Sequence, residues 1–160
     1  MNETGMYVGI LLDSLKRKKK YLDEIEELTL KQGEIIEADR FDENAFGEIV
    51  DRKEILINNI NEIDKGFTSV YDRIRSNLLD NRDAYKRELK EIQELINACM
   101  DKGSSIEVSE ERNRAKFEVV FASERKNLRQ VKNSRSVANK YYKTMANGMV
   151  NDAMLYDRKK

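Results

Sequence analysis

A chain of 160 residues with 30 Lys and Arg against 30 Asp and Glu carries no net charge, and only 39% of it is apolar. Zero proline, zero tryptophan and a 38% share of charged residues exclude a turn-rich sandwich or barrel and point to long helices sharing one elongated core. Histidine is absent, which removes the commonest general base and metal ligand, and the single cysteine, Cys99, excludes an internal disulfide or a thiolate metal site.

The first predicted helix covers residues 4–38. Val8, Leu11, Leu15, Leu22, Ile25 and Ile36 fall on one three-four stripe, widened by Leu12, Leu28 and Ile35, with Gly33 weakening its end. Within it, Ile10-Leu11-Leu12 is the longest N-terminal aliphatic run and precedes the basic stretch, the reverse of a secretory signal and far short of a membrane span. A soluble, cytoplasmic protein without membrane insertion is expected. Residues 39–44 break the stripe, and Asp42 is placed to cap the next helix.

The second stripe runs through Phe46, Ile49, Val50, Leu56, Ile60 and Ile63. Gly66 and the pair Ser69/Asp72 favour a kink or short turn over residues 64–69, although Ile63, Phe67, Val70 and Ile74 continue the spacing. A third stripe follows over Val70, Ile74, Leu78, Tyr85, Leu89, Ile92, Ile96 and Cys99. Gly103 is expected to stop it, with Ser104 and Glu107 opening a fourth helix along Phe117, Phe121, Leu128, Val131, Ala138, Tyr142 and Met145. Four such stripes with short connections predict an all-α, elongated antiparallel bundle with coiled-coil-like packing. The bundle domain is assigned to residues 1–146 and a C-terminal partner-binding tail to residues 147–160.

Catalysis finds no support. The glycines are scattered rather than grouped into a phosphate loop, no base is available to activate a serine or cysteine, and the Glu-x-x-His pattern of di-iron bundles cannot be made. No catalytic, cofactor-binding or metal-binding residue and no cofactor is therefore expected. Acids such as Glu110 and Glu111 read as a solvated helix surface. Lys16 through Lys20 form a basic run that could meet nucleic acid or an anionic membrane. Lys19–Asp23 and Lys20–Glu24 are spaced for local ion pairs, however, and a solvated face is the favoured reading. Cys99 reads as a small core residue.

The C-terminal end is different. From Arg125 to Asn151 there are seven basic residues and no acid, which fits either a phosphate backbone or an acidic protein partner. Met145, Met149 and Met154, with Tyr141, Tyr142 and Tyr156, place three of six methionines and three of seven tyrosines in the last 20 residues. Methionine recurs on surfaces that accept varied apolar helices. Tyr142 and Met145 fit a bundle core; Met149, Met154, Leu155 and Tyr156 fit an apolar segment that receives a partner.

The series Glu37-Ala38-Asp39-Arg40-Phe41-Asp42, Arg52-Lys53-Glu54-Ile55-Leu56, Ile63-Asp64-Lys65-Gly66-Phe67 and Tyr141-Tyr142-Lys143-Thr144-Met145, closing on Leu155-Tyr156-Asp157-Arg158-Lys159-Lys160, resembles the FlgN-type flagellar export chaperones over nearly the whole chain. The resemblance implies a cytoplasmic chaperone of the flagellar type III export system. Such a protein binds hook-associated proteins, the hook-filament junction subunits, prevents their premature assembly, and delivers them to the export gate and its apparatus. It also implies that the partner-binding residues are Tyr141, Tyr142, Met145, Met149, Val150, Met154, Leu155 and Tyr156. Asn151-Asp152 departs from an uninterrupted apolar helix. Two other readings stand beside it: a helical coiled-coil adaptor that self-associates, as a homodimer for example, through the third stripe, and a weak nucleic-acid-binding bundle using the basic fourth helix.

Overall fold

The computed structural model describes residues 3–122 as three long helices, α1 (Glu3–Glu37), α2 (Glu43–Asp80) and α3 (Lys86–Ala122). The all-α bundle expected from the stripes is what forms. α1 runs antiparallel to α2, joined to it by Lys18–Asp64 and by Asn77–Thr4, and parallel to α3, joined to it by Lys16–Glu91 and Lys102–Glu26. α1 packs closely on both neighbours, whereas no Cα of α2 comes within 8 Å of one in α3. Long side chains bridge those two helices instead.

The buried stripe of α1 keeps a strict three-four alternation through Thr4, Val8, Leu11, Leu15, Lys18, Leu22, Ile25, Thr29, Gln32 and Ile36. That of α3 does the same through Ile92, Ile96, Cys99, Gly103, Ile106, Glu110, Asn113 and Phe117. This heptad spacing keeps one seam facing the neighbouring helices over the full length. Three apolar clusters lie in series along the seam. The first joins Val8, Leu11, Leu15, Phe67, Ile74, Ile92 and Ile96; the second centres on Leu22, Ile25, Leu56, Ile60 and Ile106; the third is Ile36, Phe46 and Phe117.

Asp42 caps α2, its carboxylate accepting from the Ala45 backbone N–H at 3.0 Å. Asp42→Ala is expected to lower stability by about 1 kcal/mol, read from the urea midpoint at unchanged slope.

The helix boundaries differ from the predicted ones in two places. α2 continues without a break through residues 64–69. Gly66 is exposed on the outer face, and Ile63, Phe67 and Ile74 on either side are buried, so packing outweighs the roughly 1 kcal/mol helix penalty of one glycine. The chain turns at residues 81–85 instead, inside what the spacing presented as a single third stripe. There Asn81 caps α2 through both its backbone N–H and its side-chain amide, each donating to the Asn77 carbonyl. Likewise α3 passes straight through Gly103, a buried seam position between Cys99 and Ile106 and not a stop. Phe117 and residue 121 therefore belong to the end of α3, and the described residues form three helices where four were predicted. The rest of the predicted fourth stripe, from Leu128 onward, lies outside the described residues, as does the boundary drawn at 146/147.

Candidate functional site

All eight predicted partner-binding residues, Tyr141, Tyr142, Met145, Met149, Val150, Met154, Leu155 and Tyr156, lie outside the described residues, and so does the basic series from Arg125 to Lys143. The described body offers two polar layers within the seam and a groove between α2 and α3.

The first polar layer separates the first and second apolar clusters. Lys18, 3% exposed, donates from Nζ to Asp64 Oδ1 at 2.8 Å. The second separates the second and third clusters and draws on all three helices. Lys53 Nζ donates to Glu110 and, at 2.6 Å, to Gln32 Oε1. The Thr29 hydroxyl proton lies between the Ile25 carbonyl at 2.7 Å and Glu110 Oε1 at 3.0 Å. Asn113 Nδ2 donates to the Thr29 carbonyl at 2.8 Å. Burial pushes the Lys53 ammonium below its ordinary value of 10.5, with the neighbouring carboxylate of Glu110 opposing the shift. Gly33 belongs to this layer as well: a Cβ there would stand 2.7 Å from Asn113 Oδ1, so any larger residue would have to push the amide side chain aside.

Glu110 is thus a buried ion-pair partner, which corrects its reading as a solvated surface acid; Glu111 beside it is exposed. The signal was available in the spacing, since Lys18, Thr29, Gln32, Lys53, Glu110 and Asn113 all fall on seam positions. The basic run is the solvated face expected of it at Lys16, Arg17, Lys19 and Lys20, which are exposed, and departs from that reading at Lys18. Lys18 is buried, Lys16 pairs with Glu91, and Arg17 pairs with Asp13. Neither expected pair of Lys19 or Lys20 forms among the described residues. Asp23 is taken by Lys102 at 3.2 Å, and Glu24 by the forked guanidinium of Arg52 at 3.0 and 3.2 Å. At Glu24 the interhelical partner wins because a planar fork meets the carboxylate in two bonds. Cys99 sits in the core as expected, 2% exposed, its Sγ 3.9 Å from the Leu15 carbonyl.

The groove, of about 450 Å³, opens where α2 ends and α3 begins. Tyr71, Leu78 and Leu89 form its floor, Leu79 stands at its mouth, and Arg82, Asp83, Lys86 and Lys90 edge it. Among the described residues no group of three or more Cys, Asp or Glu could hold a metal ion, and no helix is long and apolar enough to cross a membrane.

Neither protein-family models, nor curated proteins, nor solved structures yield a match to this chain.

Proposed function

We propose that this chain is a cytoplasmic export chaperone of the flagellar type III system that holds hook-associated subunits through its C-terminal end and passes them to the export gate. The observation that carries the reading is the concentration of methionine and tyrosine in the last 20 residues, behind a basic stretch without acids. It is supported by the body in front of that end, three long helices with a continuous seam. Subunits that polymerise through amphipathic ends need those ends covered before export, and an apolar helical surface covers them by the helix-in-groove mode. Ordering of the client end offsets part of the contact energy, which leaves a hold that can be released.

The test is size-exclusion chromatography of the full chain with a purified hook-associated protein. Co-elution is expected. Met149→Asp with Leu155→Asp should weaken capture by at least about tenfold, since anchor residues dominate such contacts, while circular dichroism stays unchanged. Raising salt should weaken capture only modestly, in contrast to the steep loss of phosphate-driven binding. Capture unaffected by the two aspartates would sink the reading.

A further inference from the structure

We infer that the groove between the end of α2 and the start of α3 is a second docking surface, built to seat one amphipathic helix of another protein whose apolar stripe is flanked by carboxylates. This inference does not rest on the chaperone reading, and it concerns residues far along the chain from the proposed client end.

Shape comes first. α1 holds α2 and α3 without letting their backbones approach, so the space between the two helices at this end is not closed by either. Leu78 and Leu89 floor it, and Leu79 is 40% exposed at its mouth. A lone exposed leucine needs no explanation, but one placed over an apolar floor offers a continuous greasy track. Three anchors at i, i+3 or i+4, and i+7 of a guest helix span about 10 Å, which suits an open groove between two helices better than an enclosed small-molecule pocket would.

Charge then selects the occupant. Arg82, Lys86 and Lys90 edge the groove against one acid, Asp83. On the rest of the body some cations hold a carboxylate, Lys16, Arg17, Arg52, Lys102 and Lys116 among them, and others, such as Lys19 and Lys20, hold none. Arg82, Lys86 and Lys90 form no ion pair among the described residues. A guest with acidic flanks would supply the missing partners and be steered towards the groove. The chain's own remaining segment is the wrong guest: residues 123–160 carry ten basic residues against three acidic ones and end in Arg158-Lys159-Lys160.

The experiment uses the full chain and two fluorescent peptides of about 20 residues, long enough to form helix on a surface. Both carry leucine at i, i+3, i+4 and i+7; one is flanked by glutamate and the other by lysine. Anisotropy should show binding of the glutamate peptide only. Leu79→Asp should weaken it by about tenfold or more. The charge reversal Lys86→Glu with Lys90→Glu should abolish it and confer binding of the lysine peptide. All three positions are exposed, so unchanged circular dichroism is expected to confirm folding. Failure of the native chain to bind the glutamate peptide, or equal binding by the reversed variant, overturns the inference. A photo-reactive residue in place of Gln93, at the groove wall, adds the remaining arm. Cross-linking to the glutamate peptide supports the inference, while cross-linking to residues 123–160 or to a second copy overturns it.

Discussion

Lys53→Met is expected to destabilise the protein by about 3–5 kcal/mol, because it strands the Glu110 carboxylate in the seam without its cation. That is a large share of the roughly 5–15 kcal/mol that holds a typical domain together. Glu110→Leu should cost a similar amount from the other side, because it takes the carboxylate away from the buried Lys53 ammonium, which keeps its bond to Gln32. The double substitution is expected to recover most of either loss. Two apolar side chains remove both desolvation penalties together, and Thr29 keeps its bond to the Ile25 carbonyl. Urea unfolding of the four proteins gives the coupling directly. The pH dependence has a definite sign. Between the lowered folded value of Lys53 and 10.5, the unfolded chain holds more protons than the folded one, so this group's contribution to stability rises with pH across that window and is flat below it. The native protein should therefore gain on the double variant as pH climbs towards 10.5. A single variant that loses less than about 1 kcal/mol would show that the layer is hydrated in solution.

Two polar layers between three apolar clusters give the bundle something that uniform leucine packing lacks. Heptad seams of equal spacing can slide by one repeat at little cost in apolar contact. Here a slip of α2 by seven residues would set Lys53 against the Ile25 or Ile36 level of α1 and leave Glu110 facing an apolar neighbour. Each misplaced charge would cost several kcal/mol, so the layers penalise the wrong registers more than they stabilise the right one.

The helical seams were legible from residue order because their spacing is strict: Val8, Leu11, Leu15, Leu22, Ile25 and Ile36 announce α1, and all are buried. The cap at Asp42 was legible because the chemistry of a carboxylate before a helix is local. The turn at 81–85 was not. Leu78 and Tyr85 keep the seven-residue spacing across it, so periodicity reads one stripe; only the polar cluster Asp80-Asn81-Arg82-Asp83 marks the gap. Gly66 and Gly103 misled in the opposite direction. Local penalties near 1 kcal/mol announced breaks that tertiary packing overrides. The polar layers escaped a reading that tracked apolar residues alone, although their positions fall on the same seam. The groove at the hairpin end depends on how far apart α2 and α3 stand, a property of packing against α1 that no single stripe contains.

Phe117→Ala should be the other costly substitution, at about 3–5 kcal/mol. Phe117 is 6% exposed and stacks on Phe46 with ring centroids 5.6 Å apart, while Phe41 meets Phe117 edge-on at 6.2 Å and Phe46 at 5.3 Å. At this end, as at the Lys53 layer, α2 and α3 touch only through side chains, so the rings carry the attachment of the first turns of α2 to α3, beside the packing of Phe46 on Ile36 of α1. Two further results follow from that arrangement. A double-mutant cycle between Phe46 and Phe117 should give a coupling of about 0.5–1.5 kcal/mol beyond simple loss of buried area. Hydrogen exchange in Phe117→Ala should lose protection over residues 43–50 before it does so around Leu11 and Ile92, because those residues belong to a cluster at the far end. Phe117→Leu, which keeps much of the volume, should restore part of the stability but not the ring coupling. Uniform loss of protection along all three helices would instead mean that the seam unfolds as one unit and that the phenylalanine end is no more separable than the rest.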